Sequence, residues 1–318
     1  MNLSQTVLGV RFENPTVLAS GIMGVTAGSW KRAARCGAGA VTTKSIWLRE
    51  HKGHPNPVII STPHWTLNAV GVPDAGYEKA REEIGEFLKD KPVPLIVNII
   101  AETVENYSKT AEVLLPLKPD FLEVNISCPN IEHEFGKPFA CSASDAAAVT
   151  QAVKGVCKGT PVFIKLSPNA DSIGRIAAAC AAAGADGFTA INTAGPGMAI
   201  DLRSRMPILA NRVGGLSGPA IKPISVRCIA EVYEATGGKL PIIGTGGVCT
   251  GEDAIELMLA GASLIGIGTA VGDRGMDVFQ KVCDEMQAWC ASEGVKDVKE
   301  LVGGMHHAVA RVESGKKS

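Results

Sequence analysis

The chain has 318 residues, of which 46% are hydrophobic and 20% are charged, and this composition indicates a globular rather than a disordered or fibrous protein. The formal net charge is -1 and the two signs are interspersed, so the sequence shows no electrostatic footprint for nucleic acid or an anionic membrane. The first twenty residues lack a basic start followed by an apolar stretch, which argues against a signal peptide or membrane anchor and predicts a cytoplasmic protein. Barrels of alternating strands and helices often exceed about 250 residues as one unit, so we expect a single domain over residues 1–318.

The nine cysteines contain no C-x-x-C pair and do not cluster with the six histidines. We therefore expect no metal site and no iron–sulfur cluster bound by this chain. In a reducing compartment most of these cysteines should be small buried hydrophobic residues.

One local pattern occurs three times: a small-residue helix end, Gly-Ala, and an apolar run that ends in a polar residue. The copies span Gly37 to Lys44, Gly184 to Thr193 and Gly261 to Thr269. Each predicts a helix that stops at glycine, a tight turn and a buried parallel strand.

Short β-rich runs occur eight times, separated by helical stretches. The predicted strands are 16–20, 40–44, 95–100, 121–126, 162–166, 187–192, 241–244 and 264–268, and the predicted helices include 77–89, 144–156, 173–183, 223–236 and 251–260. Eight such alternations favour a closed (β/α)₈ TIM barrel of the α/β class, with a doubly wound sheet as the main alternative. The segment Leu3–Phe12 is predicted to form a short hairpin that plugs the bottom of the barrel.

Three connections are long: Ile46 to Asp74, Ser127 to Ser142 and Thr193 to Lys222, after the second, fourth and sixth strands. Because each follows a strand, all three should rise from the C-terminal face, which carries the catalytic residues in barrels of this kind.

Every predicted strand ends in a polar residue or glycine. These residues are Ser20, Lys44, Asn98, Asn125, Lys165, Asn192, the pair Gly246 and Gly247, and the pair Gly268 and Thr269. A lone asparagine there is usually just a satisfied residue at a loop start, but eight such ends together indicate a site. Two buried lysines would each be costly without an anionic partner.

The ends of the seventh and eighth strands are rich in glycine, at residues 244–247 and 266–269. Their backbone N–H groups can bind a phosphate, a site that recurs after these strands in TIM barrels, although either loop alone could merely allow close packing. The sequence contains neither G-x-G-x-x-G at a helix start nor G-x-x-x-x-G-K-[ST], so a mononucleotide fits better than a dinucleotide or a nucleoside triphosphate.

These residues suggest roles in redox chemistry. A cation such as Lys165 or Lys44 near the pyrimidine side of a flavin would stabilise the negative charge that develops there on reduction. The carboxamides of Asn68, Asn125 and Asn192 suit a ring edge that shows both donors and acceptors. Cys128 follows the fourth strand by two residues, on a loop at the catalytic face, where a thiol can act as a general base if its pKa is lowered or the pH is alkaline.

Several stretches of the sequence resemble class 1 dihydroorotate dehydrogenase, and the resemblance runs over nearly the whole chain. They are Leu67–Val72, Asn125–Asn130, Lys165–Asn169, Ile191–Thr193, Gly215–Pro223 and the two glycine loops. The loop from Trp47 to Trp65, with His51, His54 and His64, departs from the family pattern and is expected to affect specificity.

The resemblance implies two sets of contacts. FMN should contact Ser20, Lys44, Ser45, Asn98, Asn125, Lys165, Ile191, Gly218, Gly246, Gly247, Gly268 and Thr269. The substrate should contact Lys44, Asn68, Ala69, Val70, Gly71, Val72, Asn125, Asn192 and Thr193.

The implied reaction removes a proton from C5 of dihydroorotate through Cys128 and a hydride from C6 through flavin N5, with Lys44 as the second catalytic residue. This step belongs to pyrimidine biosynthesis. The membrane-bound class has serine in place of Cys128 and an N-terminal extension that is not seen here. Within class 1, Gly215–Pro223 is more similar to the NAD-linked 1B branch than to the fumarate-linked 1A branch. The 1B resemblance implies a homodimer core with a separate subunit that carries FAD and a [2Fe–2S] cluster.

Two alternatives remain open on the sequence alone. One is a dihydropyrimidine dehydrogenase-type FMN subunit that acts on uracil or thymine, and the other is a non-catalytic phosphate-binding barrel. Orotate carries a carboxylate that uracil lacks, so Lys44 favours orotate.

Overall fold

Eight parallel strands form a closed barrel in the computed structural model, which describes residues 1–126 and 139–315. We label them β1 to β8; each pairs with its neighbour in sequence, and β8 pairs with β1. Their bounds are Thr16–Leu18, Ala40–Thr42, Leu95–Ile99, Phe121–Asn125, Val162–Leu166, Gly187–Ala190, Ile242–Thr245 and Leu264–Ile267. The prediction of a TIM barrel is confirmed, and the doubly wound alternative is wrong.

Helices alternate with the strands and pack around the barrel. The α-helices are Ala27–Arg35, Tyr77–Leu88, Val104–Leu114, Ala143–Val156, Ile173–Ala182, Lys222–Ala235, Gly251–Leu259, Ala270–Arg274, Val278–Ser292 and Gly304–Gly315, and the 3₁₀ turns are Leu115–Leu117, Phe139–Cys141, Pro219–Ile221 and Val298–Leu301. The five helices predicted from sequence are present within one residue at each end.

The three Gly-Ala repeats have the predicted conformation. Gly37, Gly184 and Gly261 each follow the last residues of a helix with φ of +96°, +97° and +127°. Glycine adopts this left-handed conformation at little steric cost and so can end the helix. After each of these glycines the chain enters a barrel strand.

The lower interior of the barrel is apolar. Antiparallel strands Gln5–Val7 and Val10–Phe12 form the predicted hairpin, which places Val7 and Phe12 beneath the strands. There they pack in one buried cluster with Val17, Ala40, Ile96, Phe121, Phe163, Ile243 and Leu264. The rings of Phe121 and Phe163 stack with centroids 4.7 Å apart, and the hairpin therefore closes the bottom as predicted.

The sequence did not predict the sheet that covers the upper face. The first and third long connections each supply two strands, in the order Ala194–Gly197, Gly214–Ser217, Thr66–Asn68 and Ile59–Ser61, and all neighbours are antiparallel. A further short pair joins Ile200–Asp201 to Met206–Pro207. These strands have two to four residues each, too few for a clear alternation of apolar and polar residues in the sequence.

Five of the cysteines, Cys157, Cys180, Cys228, Cys283 and Cys290, are buried, as the sequence predicted for most of them. None of the described helices is long and apolar enough to span a bilayer. The described residues also contain no group of three or more His, Cys, Asp or Glu side chains that could hold a metal ion.

Candidate functional site

A cavity of about 560 Å³ lies at the carboxyl ends of the barrel strands, under the four-stranded sheet. Residues at or just after the ends of seven strands line it, and only β3 contributes none. The sheet adds Ile59, Ser61, Thr66 and Ser217, which sequence reasoning missed because the pairing of the two connections was not visible.

The structure brings together all but two of the described residues that were predicted for the site. Those that line the cavity are Ser20, Lys44, Ser45, Asn68, Val70, Gly71, Val72, Asn125, Lys165, Ile191, Asn192, Thr193, Gly218, Gly246, Gly247, Gly268 and Thr269. The exceptions are Asn98 and Ala69. Cys128 lies outside the described residues.

Asn98 does not line the cavity because it lies below the floor. Its side chain is fully buried and its amide nitrogen donates a hydrogen bond to Glu123, the residue opposite it on β4. Its Oδ1 has no hydrogen-bond partner among the described residues. An unpaired buried carbonyl is costly, so this atom is a candidate acceptor for a donor on a bound group.

Ala69 is excluded from the cavity lining by the alternation of the strand that precedes it. Its side chain is buried in a separate cluster with Leu67 and Leu209, whereas Asn68 and Val70 line the cavity. The other four residues of the predicted substrate segment, Asn68, Val70, Gly71 and Val72, line the cavity.

Two asparagines cross the cavity as a hydrogen-bonded pair. Asn192 donates to the Oδ1 of Asn125 over 3.3 Å, and Asn125 donates to the Ser45 hydroxyl over 3.1 Å. The Tyr107 hydroxyl fixes the Asn125 carbonyl from outside the barrel at 2.7 Å. Side chains at or just after the ends of β2, β4 and β6 thus form one wall, which we call the amide-rich wall.

Lys44 lies at the side of the cavity with its charge only partly compensated. Burial lowers the pKa of its ammonium group, and Asp74 acts in the opposite direction. Burial also raises the pKa of Asp74, against hydrogen bonds from the backbone N–H groups of Trp47 and Gly76. An anionic ligand beside Lys44 would favour its charged form.

A second lysine enters the cavity from β5. Lys165 is 6% exposed, and its ammonium lies 3.7 Å from Glu123, a carboxylate that is 2% exposed in the middle of β4. Sequence reasoning missed Glu123. The available signal was a single charge at an inward position of the otherwise apolar strand Phe-Leu-Glu-Val-Asn.

The glycine loops are shaped for close approach by a ligand. Gly246 and Gly247 have φ of +126° and +80°, and a Cβ on Gly247 would lie 2.6 to 2.7 Å from Lys222. Gly268 differs, because its φ is not left-handed and, among the described residues, a Cβ there would meet only Ile22 and Ala19 at 3.5 and 3.8 Å. Protein packing therefore does not explain the glycine at position 268, whereas a phosphate or ring against the backbone would.

Cys249 also lines the cavity, beside the glycine loop after β7. Burial, followed by the nearby Asp253 and Asp273, raises the pKa of its thiol to about 11. This thiol is consequently a poor base near neutral pH.

The divergent loop from Trp47 to Trp65 contacts the predicted substrate segment directly. The indole of Trp47 donates to the Val72 carbonyl over 3.0 Å, and a Cβ on Gly71 would lie 2.7 Å from the His54 ring. His51 stacks on Trp47 with ring centroids 4.8 Å apart. The loop therefore supports residues 70–72 from behind.

Comparisons with known proteins show which family this chain resembles. The family model described as dihydroorotate dehydrogenase matches residues 2–289. The chain is 42% identical over 309 residues to a protein of Methanosarcina mazei, covering 96% of both chains, and 44% identical over 308 residues to one of Methanocaldococcus jannaschii, covering 96% of this chain and 98% of the other. A protein of Geobacter sulfurreducens is 41% identical with the same coverage. All three are named dihydroorotate dehydrogenase B (NAD(+)), catalytic subunit.

A solved structure supports the fold. The crystal structure of DHODH from Eimeria tenella in complex with ferulenol superposes with a TM-score of 0.83 and 23% identity, covering 96% of this chain and 89% of that one. The match of the family model over most of the chain, together with relatives above 40% identity over nearly full length, establishes that this chain belongs to the dihydroorotate dehydrogenase family.

Proposed function

We propose that this chain is the FMN-containing catalytic subunit of a dihydroorotate dehydrogenase that oxidises dihydroorotate to orotate in pyrimidine biosynthesis. The observation that carries the proposal is the cavity itself. It combines two partly or fully buried lysines, an asparagine pair and two glycine loops in a chain of this family.

FMN fits the donors and acceptors that the cavity leaves open. The backbone of the loops at Gly246, Gly247 and Gly268, with the hydroxyls of Thr269 and Ser217 3.0 Å apart, would hold the phosphate. Lys165, whose ammonium makes no hydrogen bond to a described residue, would hold the pyrimidine side of the ring. Asn98 would offer its unpaired Oδ1 from below. When bound, the flavin supplies the two-electron acceptor that no amino-acid side chain provides.

The substrate would bind between the ring and the amide-rich wall. Asn68, Asn125 and Asn192 offer donors and acceptors to a pyrimidine edge, and Lys44 offers a cation to a carboxylate. Uracil and thymine lack this carboxylate, so Lys44 favours dihydroorotate over a neutral dihydropyrimidine.

A base must remove the C5 proton, and we assign this role to Cys128 on the resemblance of its motif. The described residues on either side of its segment support this assignment: Asn125 lines the cavity, and the Ala140 N–H donates a hydrogen bond to the Ile126 carbonyl over 3.0 Å. Ile126 and Ala140 are therefore both at the carboxyl end of β4.

The electrons would leave through a partner subunit that carries FAD and a [2Fe–2S] cluster, in a complex built on a homodimer of this chain. Two features support the proposal that a partner subunit binds the upper face. The relatives are named as catalytic subunits of an NAD(+)-linked enzyme, and the short pair around Ile200 exposes Met198, Leu202 and Met206 to solvent. Exposed apolar groups of this kind are typical of contact surfaces.

The test is anaerobic titration of the purified chain with L-dihydroorotate, followed through the flavin absorbance near its visible maximum. We expect a yellow protein that releases FMN and is bleached by dihydroorotate but not by dihydrouracil. A protein that binds no flavin after reconstitution would rule out the proposal, and bleaching by dihydrouracil alone would favour the dihydropyrimidine dehydrogenase alternative.

A further inference from the structure

A layer of polar side chains lies beneath the floor of the cavity, one step above the apolar bottom of the barrel. Side chains two residues apart on a strand point to the same side, so Asn98, Glu123 and Lys165 follow Ile96, Phe121 and Phe163 of the bottom cluster. Thr189 of β6 completes the layer. All four side chains are at most 6% exposed.

Glu123 is the centre of this layer. One carboxylate oxygen accepts a hydrogen bond from the Asn98 amide and the other accepts one from the Thr189 hydroxyl. Asn98 is on the neighbouring strand β3, and Thr189 is on β6, two strands away on the other side. The carboxylate is therefore fixed from two sides. The barrel interior holds this charge at a considerable desolvation cost, which an adjacent cation must offset.

Lys165 is that cation. Unlike Asn98 and Thr189, it does not hydrogen-bond to the Glu123 carboxylate. Its Nζ lies 3.7 Å from the Glu123 Oε1, too far for a good hydrogen bond but close enough for a strong ionic attraction in a buried site. Lys165 also lines the cavity, whereas Glu123 does not. The ammonium is therefore held from below by charge while its N–H donors remain available to a ligand above.

We propose that Glu123 is a positioning residue, which fixes the Lys165 ammonium in the cavity proposed for the flavin and offsets part of its charge. The inference rests on the proposed function and extends it to how the protein sets the redox balance of its cofactor. Uptake of a hydride, which is two electrons and one proton, adds one negative charge to the flavin. A cation near the pyrimidine side of a flavin would favour the charged, reduced form, and a carboxylate beside that cation would weaken this preference. Glu123 thus keeps the flavin a weaker oxidant than Lys165 alone would make it.

The test compares the midpoint potential of bound FMN in the wild-type protein and in Glu123→Gln, measured by dye-coupled anaerobic titration. Glutamine keeps the size and can still accept from Asn98 or Thr189, but it carries no charge. In Glu123→Gln we expect the ratio of the affinity for reduced FMN to the affinity for oxidised FMN to rise at least tenfold. This raises the midpoint potential by about 30 mV for a two-electron couple. Lys165→Met should change the potential in the opposite direction.

Asp120→Asn is the matched control, because Asp120 precedes the same strand at the far end of the barrel and binds the Leu95 backbone and Lys91. It should leave the potential unchanged. If Glu123→Gln does not fold, Glu123→Asp keeps the charge but withdraws it from Lys165, and it should shift the potential in the same direction by a smaller amount. A potential in either Glu123 variant that equals or falls below the wild-type value overturns the inference. A wild-type protein that is not reduced by dihydroorotate refutes the proposed function instead.

Discussion

Gly268 offers a direct test of whether the glycine loops serve a ligand or merely pack. Its φ lies outside the left-handed region, and an added methyl group would meet Ile22 and Ala19 at ordinary contact distances of 3.5 and 3.8 Å. Gly268→Ala should therefore change the stability of the apoprotein by no more than about 0.5 kcal/mol. The same methyl group would project into the cavity, where overpacking against a bound ligand costs about 1–3 kcal/mol.

That cost corresponds to FMN binding weakened roughly 5-fold to 150-fold, since each 1.4 kcal/mol is a factor of about ten. Gly247→Ala is the contrasting variant. Its φ of +80° costs a non-glycine residue about 1–2 kcal/mol, and the overlap with Lys222 at 2.6 to 2.7 Å adds about 1–3 kcal/mol. The total of about 2–5 kcal/mol should lower the melting temperature of the apoprotein by roughly 4–20 °C, at about 2–4 °C per kcal/mol.

The assay has two parts: thermal unfolding of both apoproteins by circular dichroism, and titration of FMN followed by the quenching of its fluorescence. Gly268→Ala should lose FMN affinity without losing stability, whereas Gly247→Ala should lose stability already in the apoprotein. If Gly268→Ala bound FMN as tightly as the wild-type protein, or melted as early as Gly247→Ala, the phosphate or ring could not lie against this loop.

Three further predictions concern the base, the cation and the electron acceptor. Cys128→Ala should slow flavin reduction by dihydroorotate roughly 10²–10⁴-fold in stopped-flow measurements. In Cys249→Ala the flavin should be reduced at nearly the wild-type rate, because the Cys249 thiol, with a pKa of about 11, is a poor base. Equal rates of flavin reduction in the two variants would show that Cys128 is not the base. Lys44→Met should abolish orotate binding but raise the melting temperature at neutral pH, because burial lowers the pKa of Lys44 and the folded state therefore binds this proton less tightly than the unfolded state. The gain in melting temperature should shrink as the pH rises from the lowered pKa of Lys44 towards 10.5. A difference in melting temperature that does not change with pH would contradict this prediction. The purified chain should reduce dyes but not NAD until the partner subunit is added, and rapid NAD or fumarate reduction by the chain alone would exclude the two-subunit enzyme.

The barrel and most of the candidate site could be predicted from local sequence patterns. Eight short apolar runs separated by helices specify a TIM barrel, and in that fold the carboxyl ends of all strands meet at one face. The polar residues after those runs, such as Lys44, Asn125 and Gly268, could therefore be assigned to one cavity without knowledge of any contact.

Which of these side chains face the cavity depends on contacts between distant parts of the chain. Asn98 and Glu123 lie one layer below the floor of the cavity, because the stagger of neighbouring strands sets how far along the barrel axis each residue lies. This stagger cannot be predicted from the sequence of any single strand. Ala69 packs away from the cavity because Thr66–Asn68 pairs with Gly214–Ser217, about 150 positions later in the chain. Contacts over such separations depend on the closure of the whole barrel, so local patterns predict where a residue enters the face but not what it touches there.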